Sequence, residues 1–161
     1  MDPADGTYAF FAARLSPAVM AQLVSKAANP IAAVEALAVL LAFFVWDRRL
    51  RARTVLGFVD NEAAKQALVK GSSAAEDVAA IVGDICAAEI KDQSLCFWER
   101  VPSASNVADP PSRGVCPPAL AGLSPPRRAS AELDFDVSRA KHSCRLLGGL
   151  RDIVPLRPDS P

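Results

Sequence analysis

The chain has a single histidine, His142, and its four cysteines, Cys86, Cys96, Cys116 and Cys144, form no C-x-x-C pair. A close zinc cluster is therefore excluded, and the cysteines read as free thiols in a reducing compartment rather than as a disulfide framework. Net charge is also missing: 18 basic residues stand against 18 acidic ones. No global field draws such a chain to nucleic acid or anionic lipid, so any contact with a polyanion must be local. Near the amino end Asp2 and Asp5 occupy the place where a secretory leader carries basic residues. The expected location is accordingly intracellular, cytoplasmic or nuclear, and not secreted. A full membrane span is lacking as well. Pro30 to Trp46 is apolar except for Glu35, and Asp47-Arg48-Arg49-Leu50-Arg51-Ala52-Arg53 follows it like a positive stop. A spanning helix needs roughly 20 apolar residues, and a carboxylate near its middle costs about 3 kcal/mol. A buried core helix is the preferred reading over a membrane anchor. No internal repeat is visible.

What is present is enough apolar material for a core: 51% of 161 residues, fitting one domain with a tail. Its centre is the stretch Val55 to Gly71. Val55 to Val59 is a short apolar run suited to a strand buried on both faces, and it stops at Asp60. Asn61 is a good N-cap, Ala63 to Leu68 are strong helix formers, and Gly71 is placed to stop the helix. Sheets with helices place ligands at the carboxyl ends of their strands, so Asp60 is either a functional acid or part of a turn and cap.

Earlier in the chain, Asp2-Pro3-Ala4-Asp5-Gly6 reads as a turn and Thr7 to Leu15 as the strand leaving it. A hairpin with one arm missing gives the expectation of a chain that begins partway into a domain. Ser16-Pro17 opens a short helix over Ala18 to Ser25, with a strand as the alternative. Ile31 to Trp46 is a helix with Val34, Leu37, Leu41 and Phe44 along one face and apolar positions nearly all round, so it is expected to be buried on most sides. Glu35, one turn into it, either complements the helix amino terminus or serves as a functional acid aimed at the sheet.

Beyond the centre, Ser73-Ala74-Ala75-Glu76 fits a capping box, and Val78, Ile81, Val82, Ile85 and Ile90 continue a helical stripe to about Lys91. Ser94 to Val101 reads as a further strand, with Phe97 and Trp98 assigned to the core. Loop residues then lead into Asn106-Val107-Ala108-Asp109-Pro110-Pro111-Ser112-Arg113. Residues 117–161 turn to proline, serine and arginine and read as a disordered tail behind a domain at 1–116.

Glu35 on its helix, the Phe58-Val59-Asp60-Asn61 strand end and the Asn106 to Arg113 loop follow one another in an order and at spacings that resemble the ribonuclease H domain of retroelement reverse transcriptases. The likeness is nearest to the tyrosine-recombinase and long-terminal-repeat retrotransposon types, where an asparagine, an Ala-Asp pair and a Ser-Arg pair close the domain. It covers roughly Gly6 to Gly114. The resemblance implies an α/β fold, a ribonuclease H-like mixed sheet of five strands flanked by helices. It also implies hydrolysis of the RNA strand of RNA/DNA hybrids with two Mg²⁺ ions, or Mn²⁺, held by clustered carboxylates. Two nearby dications repel, and only several negative oxygens hold them together. On this likeness Glu35, Asp60 and Asp109 are the catalytic, metal-holding acids and should meet in one pocket. Asn61, Ser112 and Arg113 are candidates to contact substrate, capping being the alternative for Asn61 and Ser112. Arg48, Arg49, Arg51, Arg53, Lys65 and Lys70 could meet phosphates, or form solvated helix ends.

The sequence departs from this family at one point. The family's first aspartate, on the first strand, has no counterpart, since Asp2 and Asp5 are turn residues. The amino-terminally truncated domain is thus expected to lack one metal ligand and to be impaired as a nuclease. An RNA/DNA hybrid or other nucleic acid is the implied partner, with an upstream reverse transcriptase domain as a second and no membrane. Two further readings stay open: a catalytically decayed nucleic-acid or protein interaction module, and a small membrane-anchored protein.

Overall fold

The computed structural model describes residues 30–112, with Ala13–Leu15, Pro17, Met20, Ala21, Leu23 and Ile153–Pro155 besides. In chain order the elements are β1 (Ala13–Leu15), α1 (Ile31–Val45), the one-turn α2 (Asp47–Leu50), β2 (Thr54–Val59), α3 (Glu62–Lys70), α4 (Glu76–Asp92), β3 (Leu95–Arg100), a 3₁₀ turn (Ser103–Ser105), the one-turn α5 (Asp109–Ser112) and β4 (Ile153–Pro155). The four described positions from Pro17 to Leu23 are helical, and Leu23 is buried.

Alanine and leucine make α1 a strong helix, and its first turn closes where the Val34 N–H donates to the Pro30 carbonyl at 2.9 Å. Ala33, Ala36, Leu37, Leu40, Leu41 and Phe43 are its buried residues, one broad stripe at three- and four-residue spacing. Val34 and Phe44, expected inside, are only partly buried, because they sit at the margins of that stripe. The stripe packs mainly on α4 and also on α3. From α4 it meets Val78, Ile81, Val82 and Ile85. Ile90 does not continue that row: one position off the spacing, it is 80% exposed. No helix among the described residues is long and apolar enough to cross a membrane.

β2 and β3 pair in parallel, Thr54 opposite Leu95 and Val59 opposite Arg100, with α3 and α4 forming the crossover between them. Val59, Cys96 and Trp98 face the helical core, and Trp98 lies over Gly57, where an added Cβ would run into its ring. The opposite face corrects the expectation of a strand buried on both sides. Leu56 is 62% exposed, Phe58 56%, Leu95 59% and Phe97 54%, since α1, α3 and α4 are all gathered on the other face. Phe97 is consequently not a core residue, whereas Trp98 is packed against the core.

The five-stranded mixed sheet expected is not seen among the described residues. Among the described residues there are two separate pairs, the parallel β2–β3 pair and an antiparallel pair of β1 with β4. β4 is the described part of the segment 117–161, its β-branched Ile153 and Val154 being suited to a strand. The rest of that segment, like Asp2 to Gly6 and most of Thr7 to Leu15, lies outside the described residues. The capping box is corrected too: the Ser73 hydroxyl accepts from the Ala75 N–H at 3.2 Å, and α4 starts at Glu76 with no side-chain cap. Ser73 thus turns the chain before the helix instead of capping it.

Candidate functional site

β2 ends at Val59, which delivers Asp60 to the strand's carboxyl end, and Asn61 immediately starts α3. The Asn61 Oδ1 accepts the Ala64 N–H at 2.9 Å and satisfies one of the donors that a helix leaves open at its amino end. At the far end Gly71 adopts φ 66°, the left-handed conformation that closes a helix without the Cβ clash other residues would suffer. The capping alternative therefore describes Asn61, whose acceptor oxygen is engaged by its own helix.

Glu35 and Asp60 meet. They are 25 positions apart in sequence, and the packing of α1 on α3 and α4 carries the half-buried Glu35 to the end of β2. Burial pushes its carboxyl up from 4.5 to about 7, with the Asp60 charge and a hydrogen bond to the Asp60 side chain adding to the effect. The Glu35 carboxyl therefore holds its proton much closer to neutral pH than an exposed glutamate does. Glu35 lies beyond the first turn of α1, which contains no acid, and the dipole effect falls off within that turn.

Charged groups from both strand ends surround the pair. Parallel register sets Arg100 beside Val59, and its Nε lies 3.4 Å from the Asp60 carbonyl, to which it donates, and 3.8 Å from Glu62 Oε2. Lys65 Nζ lies 3.9 Å from Glu62 Oε1 and 3.5 Å from Glu99 Oε1. Glu99 accepts the Arg100 backbone N–H at 2.8 Å, and this bond, with Lys65, holds its carboxyl below the usual range. Arg100 is a charged neighbour of Asp60 that sequence reasoning passed over. Its only sequence signal is that it ends the second apolar strand, which matters once the two strands are known to run in parallel.

The third acid does not complete the expected cluster. Asp109 begins α5, its N–H donating to the Asn106 carbonyl at 3.1 Å, while the Asn106 side chain accepts the Ala108 N–H at 3.0 Å. Among the described residues no three His, Cys, Asp or Glu side chains are grouped so as to hold a metal ion. Of the three expected acids, Glu35 and Asp60 are brought together, and Asp109 stands at the start of the one-turn α5. Ser112 is the last residue of α5, and Arg113 lies outside the described residues. Arg51 and Arg53 sit before β2, at the strand end opposite Asp60; six residues at about 3.3 Å each put them roughly 20 Å from the carboxyl pair. Arg51 lies 3.9 Å from Asp47, the pairing of a solvated helix end.

Cys86 and Cys96 are free thiols, as their spacing suggests. Burial raises both, and Glu89 contributes in each case; Cys96 is pushed up to about 12, which suits a packed thiol and not a nucleophile. Comparison of the chain with protein-family profiles, with curated proteins and with solved structures finds no match.

Proposed function

We propose that the chain is a ribonuclease H-like domain of retroelement origin whose Glu35–Asp60 pair holds a divalent cation for hydrolysis of the RNA strand of RNA/DNA hybrids. The observation that carries this reading is the meeting of two carboxyls from distant parts of the sequence at the carboxyl end of a parallel strand. Two adjoining carboxyls are a donor set suited to Mg²⁺, which commonly takes one or two carboxylates and fills its remaining positions with water and phosphate oxygens. The described residues fit one such ion and supply no third protein ligand for a second. When bound, the ion would polarise a phosphoryl oxygen and lower the pKa of a coordinated water. Glu35 would release its proton on binding it, so occupancy should rise with pH through the neutral range. Arg100 is the cation placed to meet a phosphate at this strand end.

The test is incubation of the full chain with a labelled RNA/DNA hybrid in Mg²⁺ or Mn²⁺, beside Asp60→Asn. Slow cleavage of the RNA strand that needs the ion and vanishes in the variant is expected. Cleavage that survives Asp60→Asn overturns the reading. A second reading, a catalytically decayed interaction module, draws on the lack of a third metal-holding side chain among the described residues. Hybrid binding that is indifferent to Mg²⁺, with no cleavage by the unaltered chain, would establish it instead.

A further inference from the structure

Side chains of β2 and β3 alternate between two faces. Val59, Cys96 and Trp98 turn to the helical core, while Leu56 and Phe58 on β2 and Leu95, Phe97 and Glu99 on β3 occupy the other side. The four apolar members of that side are each more than half exposed. Parallel strands are ordinarily covered on both faces, and two strands alone do not make an independently stable sheet. Together the four side chains offer roughly 400 Å² of apolar surface, the size at which a patch commonly marks a contact.

The charges around this patch match a second copy of the same patch. α3 starts at the carboxyl end of β2 and runs back along the strands, so Lys65, 3.5 Å from Glu99, stands near the carboxyl end of β3. Lys70, further along α3 at about 1.5 Å per residue, lies roughly 7.5 Å nearer the amino end of that strand. It borders the same open groove as Phe97 and Glu99 and takes part in no ion pair among the described residues. The apolar patch is thus flanked by an acid towards one end and a cation towards the other. A two-fold axis lying across the strands, between two such faces, sets Glu99 of each copy against Lys70 of the other while the apolar residues meet at the centre. Net charge agrees: 18 basic and 18 acidic residues leave nothing to push the copies apart. A standard interface takes about 800 Å² from each partner, so a face of half that size makes a reversible dimer and not an obligate one.

We propose that two copies of this chain associate through the exposed β2–β3 face as a two-fold dimer, Leu56, Phe58, Leu95 and Phe97 packing against their counterparts and Lys70 pairing with Glu99 across the interface. The inference does not depend on what the Glu35–Asp60 pair does. Equilibrium sedimentation of the full chain from about 5 to about 500 µM tests it. The expected result is a monomer–dimer equilibrium that Phe97→Asp weakens about tenfold or more, and that Ile90→Asp, at an exposed position of α4 outside this face, leaves unchanged. A chain that stays monomeric over the whole range, or a dimer indifferent to Phe97→Asp, would overturn it. The charge pairing has a readout that needs no apolar substitution. Lys70→Glu and Glu99→Lys should each weaken the dimer several-fold alone, and an equimolar mixture of the two variants should associate more tightly than either by itself, because the mixed pair sets opposite charges together at both ends. A mixture no tighter than its components would overturn the two-fold arrangement.

Discussion

Replacing Glu35 by glutamine keeps the shape of the side chain and a hydrogen-bond donor for Asp60 but removes the ability to ionise. In the unaltered chain the Glu35 carboxyl is raised from 4.5 to about 7 in the fold. A carboxyl raised on folding contributes stability that is fully present below pH 4.5 and is lost as pH rises through about 7. The displacement corresponds at full strength to about 3.4 kcal/mol. Glu35 is only half-buried, so solvent screening reduces the contribution to roughly 1–2 kcal/mol. Denaturant unfolding at pH 4 and pH 8.5 reads this directly. The unaltered chain should lose roughly 1–2 kcal/mol more than Glu35→Gln between the two conditions, and the variant should be the more stable protein at the higher pH. On a chain of this size that is a difference of about 2–8 °C in Tm. Parallel pH profiles for the two proteins would refute the argument that burial beside Asp60 raises the Glu35 carboxyl.

Two further substitutions probe the scaffold that presents the pair. Asn61→Ala removes the side chain that caps α3 and should cost about 1 kcal/mol by denaturant unfolding, with Asn61→Asp restoring most of it. Gly57→Ala should destabilise by about 1–3 kcal/mol, because the new Cβ meets the Trp98 ring; Trp98 fluorescence in the folded state should shift at the same time, and an unshifted spectrum at full stability would contradict the packing.

Local elements were the legible part of the sequence. The β2–Asp60–Asn61–α3 order, the Gly71 stop and the stripe of α4 through Ile85 all follow from propensity, capping and period, which act over a few residues. Ile90 was misplaced because an apolar residue one step off the stripe looks the same in a hydrophobicity count. Burial of the sheet was misjudged for a related reason: an apolar run shows that a strand could be covered on both faces, while the elements that cover it come from elsewhere in the chain. Of the candidate site, the sequence carried the identities of Glu35 and Asp60, and their meeting depended on how α1 packs. The position of Asp109 relative to them is set by the loop after β3, for which periodicity offers no guide. Arg100 came to notice only through the parallel register that puts it beside Val59.

Manganese titration followed by two-dimensional NMR tests the central claim most directly, because a bound paramagnetic ion erases the signals of the nuclei around it. Addition of Mn²⁺ above pH 7 should broaden the amides of Glu35, Asp60 and Asn61 first, and Asp60→Asn should abolish that selective broadening. Selective broadening centred on any other part of the chain, or a pattern at residues 35 and 60 that Asp60→Asn leaves intact, would contradict a cation site built on these two carboxyls.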